Sequence, residues 1–124
     1  MKTSFFITSA LIIGCLTTVK SQDNAPVSLT QLWKTDTLLR TPESVQYDPQ
    51  RQQLYVANIN KVNVEKPDGD GFISVLNTDG KISNLKWARG LNDPKGMGIL
   101  DNSLFVADLK DLVEIDLKTG NILK

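Results

Sequence analysis

The sequence predicts an all-β protein built from four-stranded antiparallel meanders, the unit from which a β-propeller is assembled. Three observations carry this. Across residues 42–124, short apolar runs with a two-residue period alternate with turns rich in Asp, Asn, Gly and Pro. The run QLYVAN at 53–58 returns as SLFVAD at 103–108, so that Leu54 and Leu104, Ala57 and Ala107, and Asn58 and Asp108 each stand 50 positions apart. Further on, Ile73 and Val113, and Gly80 and Gly120, each stand 40 apart, which gives a period of 40 with ten extra residues in a loop of the first copy. Four short strands in ~40 residues is the pattern of a propeller blade. A β-sandwich with look-alike hairpins is the alternative, but it gives no reason for turns and strands to recur in register.

Each element has its own local reason. Residues 29–35, LTQLWKT, form a plausible short strand anchored by Trp33, closed by Thr41-Pro42. In the first copy, Val45 and Tyr47 share a face of a strand over 43–48, and Asp48-Pro49 sets a turn in which Pro49 fixes φ. A second strand covers 53–58, a long loop ends in PDGDG at 67–71, and a third strand covers 72–76. Asp79-Gly80 between apolar runs is a hairpin signal, and a fourth strand follows over 81–87. The second copy has strands over 95–100, 103–108 and 112–117, a turn at 118–121, and the beginning of a fourth strand at Ile122-Leu123-Lys124. The expectation is one lone strand, one full blade and three-quarters of another. A closed propeller needs about four blades or more, so the chain is expected to belong to a longer reading frame, with 29–124 an incomplete propeller domain. The lone first strand fits a ring whose last blade is completed by the N-terminal strand.

Composition excludes several chemistries. Lys and Arg total 14, as do Asp and Glu, so no basic field exists to attract nucleic acid or an anionic membrane. The absence of histidine rules out Ser-His-Asp and Cys-His catalysis and His-ligated zinc. Any metal would be held by oxygen ligands, which favours Ca²⁺, Mg²⁺ or Mn²⁺. The single cysteine, Cys15, excludes an internal disulfide.

The N-terminus has the form of an export signal: Lys2 precedes an almost wholly apolar run, 5–16, too short to span a bilayer. Val19-Lys20-Ser21 suits signal-peptidase cleavage after Ser21, leaving a linker at 22–28. Ile12-Ile13-Gly14-Cys15 resembles a lipobox, which would instead place a lipid on Cys15 and anchor the chain to a membrane. Either processed form is mildly acidic and is expected outside the cytoplasm, periplasmic, secreted or lipid-anchored.

The second copy, Asp93-Pro94-Lys95-Gly96-Met97-Gly98-Ile99 with LFVAD at 104–108 and Asp116 to Gly120, is similar to the NHL repeat. The first copy, Pro42-Glu43-Ser44-Val45 with LYVAN at 54–58, resembles the opening of the regucalcin/gluconolactonase family. Both families form six-bladed propellers, and the resemblance covers 29–124. In the lactonases a divalent cation (Ca, Mg, Mn or Zn) at the ring axis polarises a lactone carbonyl and activates water. The resemblance implies Glu43, Asn92 and Asp93 as metal ligands. The Asn-Asp pair comes one blade after Glu43, where the family pattern places it two blades on. On their own chemistry, Glu43 reads as a solvated residue at a strand start and Asn92-Asp93-Pro94 as a turn. PDGDG fails as an EF-hand loop, because Lys66 and Asn77 would fall at its first and last ligand positions. Trp33 and Trp87 read as packing anchors. Two functions follow as expectations: an exported module binding a protein, glycan or small molecule on its loop face, or a metal-dependent lactonase.

Overall fold

A computed structural model describes residues 27–61 and 67–124. The predicted signal segment, including Cys15, lies outside the described residues. The chain divides into two compact units, and every strand belongs to the one spanning Gln31–Lys124.

The described residues hold seven strands and no helix. Strands β1 (Pro42–Asp48), β2 (Gln53–Asn58), β3 (Gly71–Asn77) and β4 (Ile82–Leu91) form one antiparallel sheet in the order β1-β2-β3-β4. Strands β5 (Pro94–Leu100), β6 (Ser103–Asp108) and β7 (Asp111–Asp116) form a second, in the order β5-β6-β7. Both are simple meanders, joined by short turns everywhere except at the long β2–β3 loop. Beyond β7, the predicted fourth strand is limited to one bridge, Ile115 to Ile122, with Leu123 donating to the Glu114 carbonyl at 2.8 Å.

Residues 27–36 carry no strand, contrary to the alternation at 29–35. An extended segment becomes a strand only with a hydrogen-bonded neighbour, and no described strand lies beside it. Trp33 nevertheless has a fixed place: a Cβ added to Gly80, in the β3–β4 turn, would lie 2.4 Å from its ring. Trp87, on β4, covers Gly120 after β7 in the same manner. Both tryptophans are packing anchors, each laid over a glycine of the sheet that follows it in sequence.

The register corrects the expected equivalence of Ile73 and Val113. Ala57 faces Ile73, whereas Ala107 faces Leu112, so the third strands are offset by 39 residues. The second copy has one extra residue in its turn: Gly80 donates to the Asn77 carbonyl, three residues back, but Gly120 donates to the Asp116 carbonyl, four back. A shift of one residue exchanges the faces of a strand, so Leu112 matches Ile73 and Val113 does not.

The register also defines the core. On β2 and β3, Tyr55, Ala57, Ile73 and Val75 share the front face of the first sheet. On β6 and β7, Leu104, Val106 and Ile115 share the back face of the second. These seven, with Ala88, Leu91 and Leu117, make one buried cluster in which no member exceeds 5% exposure. Tyr55 is backed by Trp87, ring centroids 5.0 Å apart. Burying each large side chain contributes about 1.5–3 kcal/mol.

Turn chemistry is as the sequence implied. Asp48 accepts the N–H groups of Gln50 (2.9 Å) and Arg51 (3.1 Å) and pairs with the Arg51 guanidinium at 2.9 Å. Burial pushes the Asp48 carboxyl up, but the Arg51 side chain and the two backbone donors outweigh it and hold the pKa below its usual value. A depressed carboxylate pKa stabilises the fold above the unfolded value of about 4, and that contribution is lost as pH falls through the folded value. Asp48→Asn is therefore expected to cost about 1.5–3 kcal/mol near neutrality. Denaturant titrations at pH 6 and pH 3 should show the gap between wild type and variant closing at the lower pH.

Candidate functional site

One end of the two sheets gathers the long β2–β3 loop, the β4–β5 link and the starts of β1 and β5. The repeat builds this end twice. Pro42 opens β1 opposite Asn58, and Pro94 opens β5 opposite Asp108. Each first strand then carries a bulge, between Pro42 and Ser44 and between Pro94 and Met97.

The polar residue closing the second strand has the same task in both copies. Asn58, fully buried, accepts the backbone N–H of Arg40 at 2.9 Å, two residues before Pro42. Its amide donates to the Val56 carbonyl (2.9 Å) and the Ser74 hydroxyl (3.0 Å), and Ser74 donates to the Leu85 carbonyl (2.6 Å). Asp108, 3% exposed, accepts the N–H of Asn92, two residues before Pro94, at 3.0 and 2.9 Å, and the Asn92 amide at 3.3 Å. The two side chains tie the incoming chain to its own sheet. Asn58→Asp would bury a charge and remove both donors, so it is expected to cost about 1–3 kcal/mol or more, read as a lower denaturation midpoint.

One polar contact fastens the loop to the link, and others tie the loop internally. Asn92 accepts the Gly69 N–H at 3.1 Å. Asp68 accepts the Asp70 N–H at 3.2 Å; Asp70 accepts the Asn60 amide at 3.1 Å and lies 3.5 Å from the Lys61 ammonium. A Cβ on Gly71 would come within 2.7 Å of both the Asn92 carbonyl and the Pro94 ring, so only glycine lets β3 start against the link.

The residues implied as metal ligands meet at this end but have separate environments. Glu43 is exposed in the β1 bulge, while its neighbour Ser44 donates its hydroxyl to the Lys95 carbonyl of β5. The Asn92 amide is engaged by Asp108 and Gly69. Asp93 is 4% exposed, and its Oδ2 has no hydrogen-bond partner among the described residues. Among the described residues no three Asp, Glu, His or Cys side chains gather closely enough to hold a metal ion. No reaction step is derived through a metal ion. Clefts of about 380 and 360 Å³ lie elsewhere, near Tyr47, Pro49 and Leu100 and near Lys34, Asp36 and Asp79.

Sequence reasoning did not assign roles to Asn58, Asp108, Asp70 or Gly71. The 50-residue offset marked the first two as equivalent, but their partners are backbone groups that spacing does not reveal. The chain matches no protein-family model, no curated protein and no solved structure.

Proposed function

We propose that the chain supplies two blades of an exported β-propeller that binds a protein, glycan or small-molecule ligand on its loop end. The observation carrying this reading is the way the sheets stack. The front face of the first meets the back face of the second, so equivalent faces do not meet. Such a heterologous contact can repeat from sheet to sheet and forms a ring where the rotation between sheets closes, whereas a two-fold sandwich would pair like faces. The resemblance to NHL repeats and to the regucalcin/gluconolactonase family agrees with this arrangement. The ligand end is the one bearing Asn60, Asp68, Asp70 and Asn92, because its β2–β3 loop is long and both connections there are rich in polar groups. Peptide and glycan arrays probed with the processed protein test it: binding lost in Asp70→Ala supports the reading, and binding unchanged there places the ligand elsewhere.

A lactonase of the regucalcin/gluconolactonase type is a second reading, favoured by the buried Oδ2 of Asp93, which has no hydrogen-bond partner among the described residues, beside the start of β5. The binding reading predicts no hydrolysis of γ- or δ-lactones above the buffer rate with Ca²⁺, Mg²⁺, Mn²⁺ or Zn²⁺. Turnover abolished by chelation and restored by one of these ions would reverse the order of the two readings.

A further inference from the structure

We infer that the cleft between the β1–β2 and β5–β6 turns is a second binding site and takes an arginine side chain of a peptide partner. It lies at the end of the sheets opposite the long loop and is independent of the ligand end proposed above. β1 and β5 are neighbouring edge strands of the two sheets. Two contacts tie them together. Ser44 donates its hydroxyl to the Lys95 carbonyl, and beyond the strand ends the Arg51 guanidinium donates to the Asn102 side-chain oxygen at 3.4 Å. Between these ties lies a cleft of about 380 Å³. Its apolar walls are open to solvent: Tyr47 is 43% and Leu100 63% exposed, and Pro49 is exposed beside them. Ile99, half-buried, closes it toward the core.

The charges lining the cleft decide the occupant. Among the described residues no Lys or Arg lines it, whereas Asp48 and Asp101 do. Asp48 is already neutralised by Arg51 at 2.9 Å. Asp101 is exposed and enters none of the ion pairs of the described residues, so the cleft keeps an unbalanced negative charge. Gln46 spends an amide N–H on the Tyr47 carbonyl at 2.9 Å and keeps its side-chain oxygen as an acceptor. Acceptors and a carboxylate beside an aromatic ring select a cationic head with several donors. Guanidinium is planar, stacks on aromatic rings and pairs with carboxylates in a fork. The methylene stem of arginine covers apolar surface such as that of Pro49 and Leu100. An anionic ligand would meet no lining cation, and a neutral sugar gains nothing from the unbalanced charge. The chain itself seats a guanidinium next door, where Arg51 spans Asp48 and Asn102.

The test is a titration of the isotope-labelled processed protein, followed by amide chemical shifts, with N-acetyl-Gly-Arg-Gly-amide and with the same peptide carrying citrulline in place of arginine. The arginine peptide should give saturable shifts centred on Gln46, Tyr47, Gln50, Leu100 and Asp101. The citrulline peptide keeps the shape, loses the charge and should give none. Asp101→Asn and Tyr47→Leu should each weaken binding about two- to fivefold. Both positions are exposed, and asparagine tolerates the φ of +54° at position 101, so the dispersed amide spectrum should be retained. Asp70→Ala, at the loop end, should leave the titration unchanged, which separates this site from the one proposed there. The absence of saturable shifts overturns the inference. So does an equal response to the citrulline peptide, or undiminished binding in Asp101→Asn. Saturation of the same amides by maltotriose and not by the arginine peptide would assign the cleft to a glycan and overturn it too.

Discussion

Gly120→Ala is expected to destabilise the protein by about 2–5 kcal/mol. Two costs combine. Gly120 has φ +77°, a left-handed conformation that costs an L-residue about 1–2 kcal/mol. Its added Cβ would also stand 2.7 Å from the Trp87 carbonyl oxygen and 3.0 Å from the indole. That oxygen belongs to β4 and cannot retreat without moving the strand, and forced overpacking costs a further ~1–3 kcal/mol. Gly90 separates the two contributions: it has φ +86°, but a Cβ there would meet nothing within 4 Å. Gly90→Ala should therefore show only the backbone cost of about 1–2 kcal/mol. Urea titration of both variants measures the difference, and equal losses would mean that Trp87 does not press on the turn.

Leu104→Ala is expected to cost about 2–5 kcal/mol, a large share of the ~5–15 kcal/mol that stabilises a small domain. Leu104 is fully buried on the back face of the second sheet, within the cluster that joins the sheets. Truncation leaves a cavity that the rigid ladders around it fill poorly. Leu112→Ala is the control. It makes the same chemical change on the opposite face, where the side chain is 67% exposed, and should stay within about 0.5 kcal/mol in the isolated chain. The midpoint should fall for Leu104→Ala with an unchanged denaturant slope, the sign of lost stability in a two-state unit.

These two predictions differ in how far the sequence foretold them. The alternation in QLYVAN and SLFVAD and the turn residues around Gly80 and Gly120 made most strands legible, because a strand's local pattern and its turn chemistry agree. Residues 29–35 have the alternation too, but pairing is a property of two segments, and spacing in one cannot supply the other. Irregular registers explain why β4 extends to Leu91 and not to the expected Trp87: shifts between Ile73 and Val75 and between Val75 and Leu76 blur the two-residue period. The equivalence of Ile73 and Val113 failed for a similar reason, since one extra turn residue reverses which face a side chain takes.

At the polar end, the chemistry was partly visible and the roles were not. The turn reading of Asn92-Asp93-Pro94 matches a link between β4 and β5, but nothing in the sequence showed that Asp108 accepts the Asn92 N–H. PDGDG read only as the end of a long loop, whereas its Gly71 packs against the link. Hydrogen bonds from side chains to backbone groups of another strand depend on register, and register is what a single sequence specifies least.

The central claim is that the two meanders stack front to back. Methyl–methyl nuclear Overhauser contacts test it most directly. Cross-peaks are expected to link the Ile73 and Val75 methyls to those of Leu104, Val106 and Ile115, with none between Ile73 and Leu112. Cross-peaks joining Ile73 to Leu112, the matched position of the repeat, would place like faces together and contradict it.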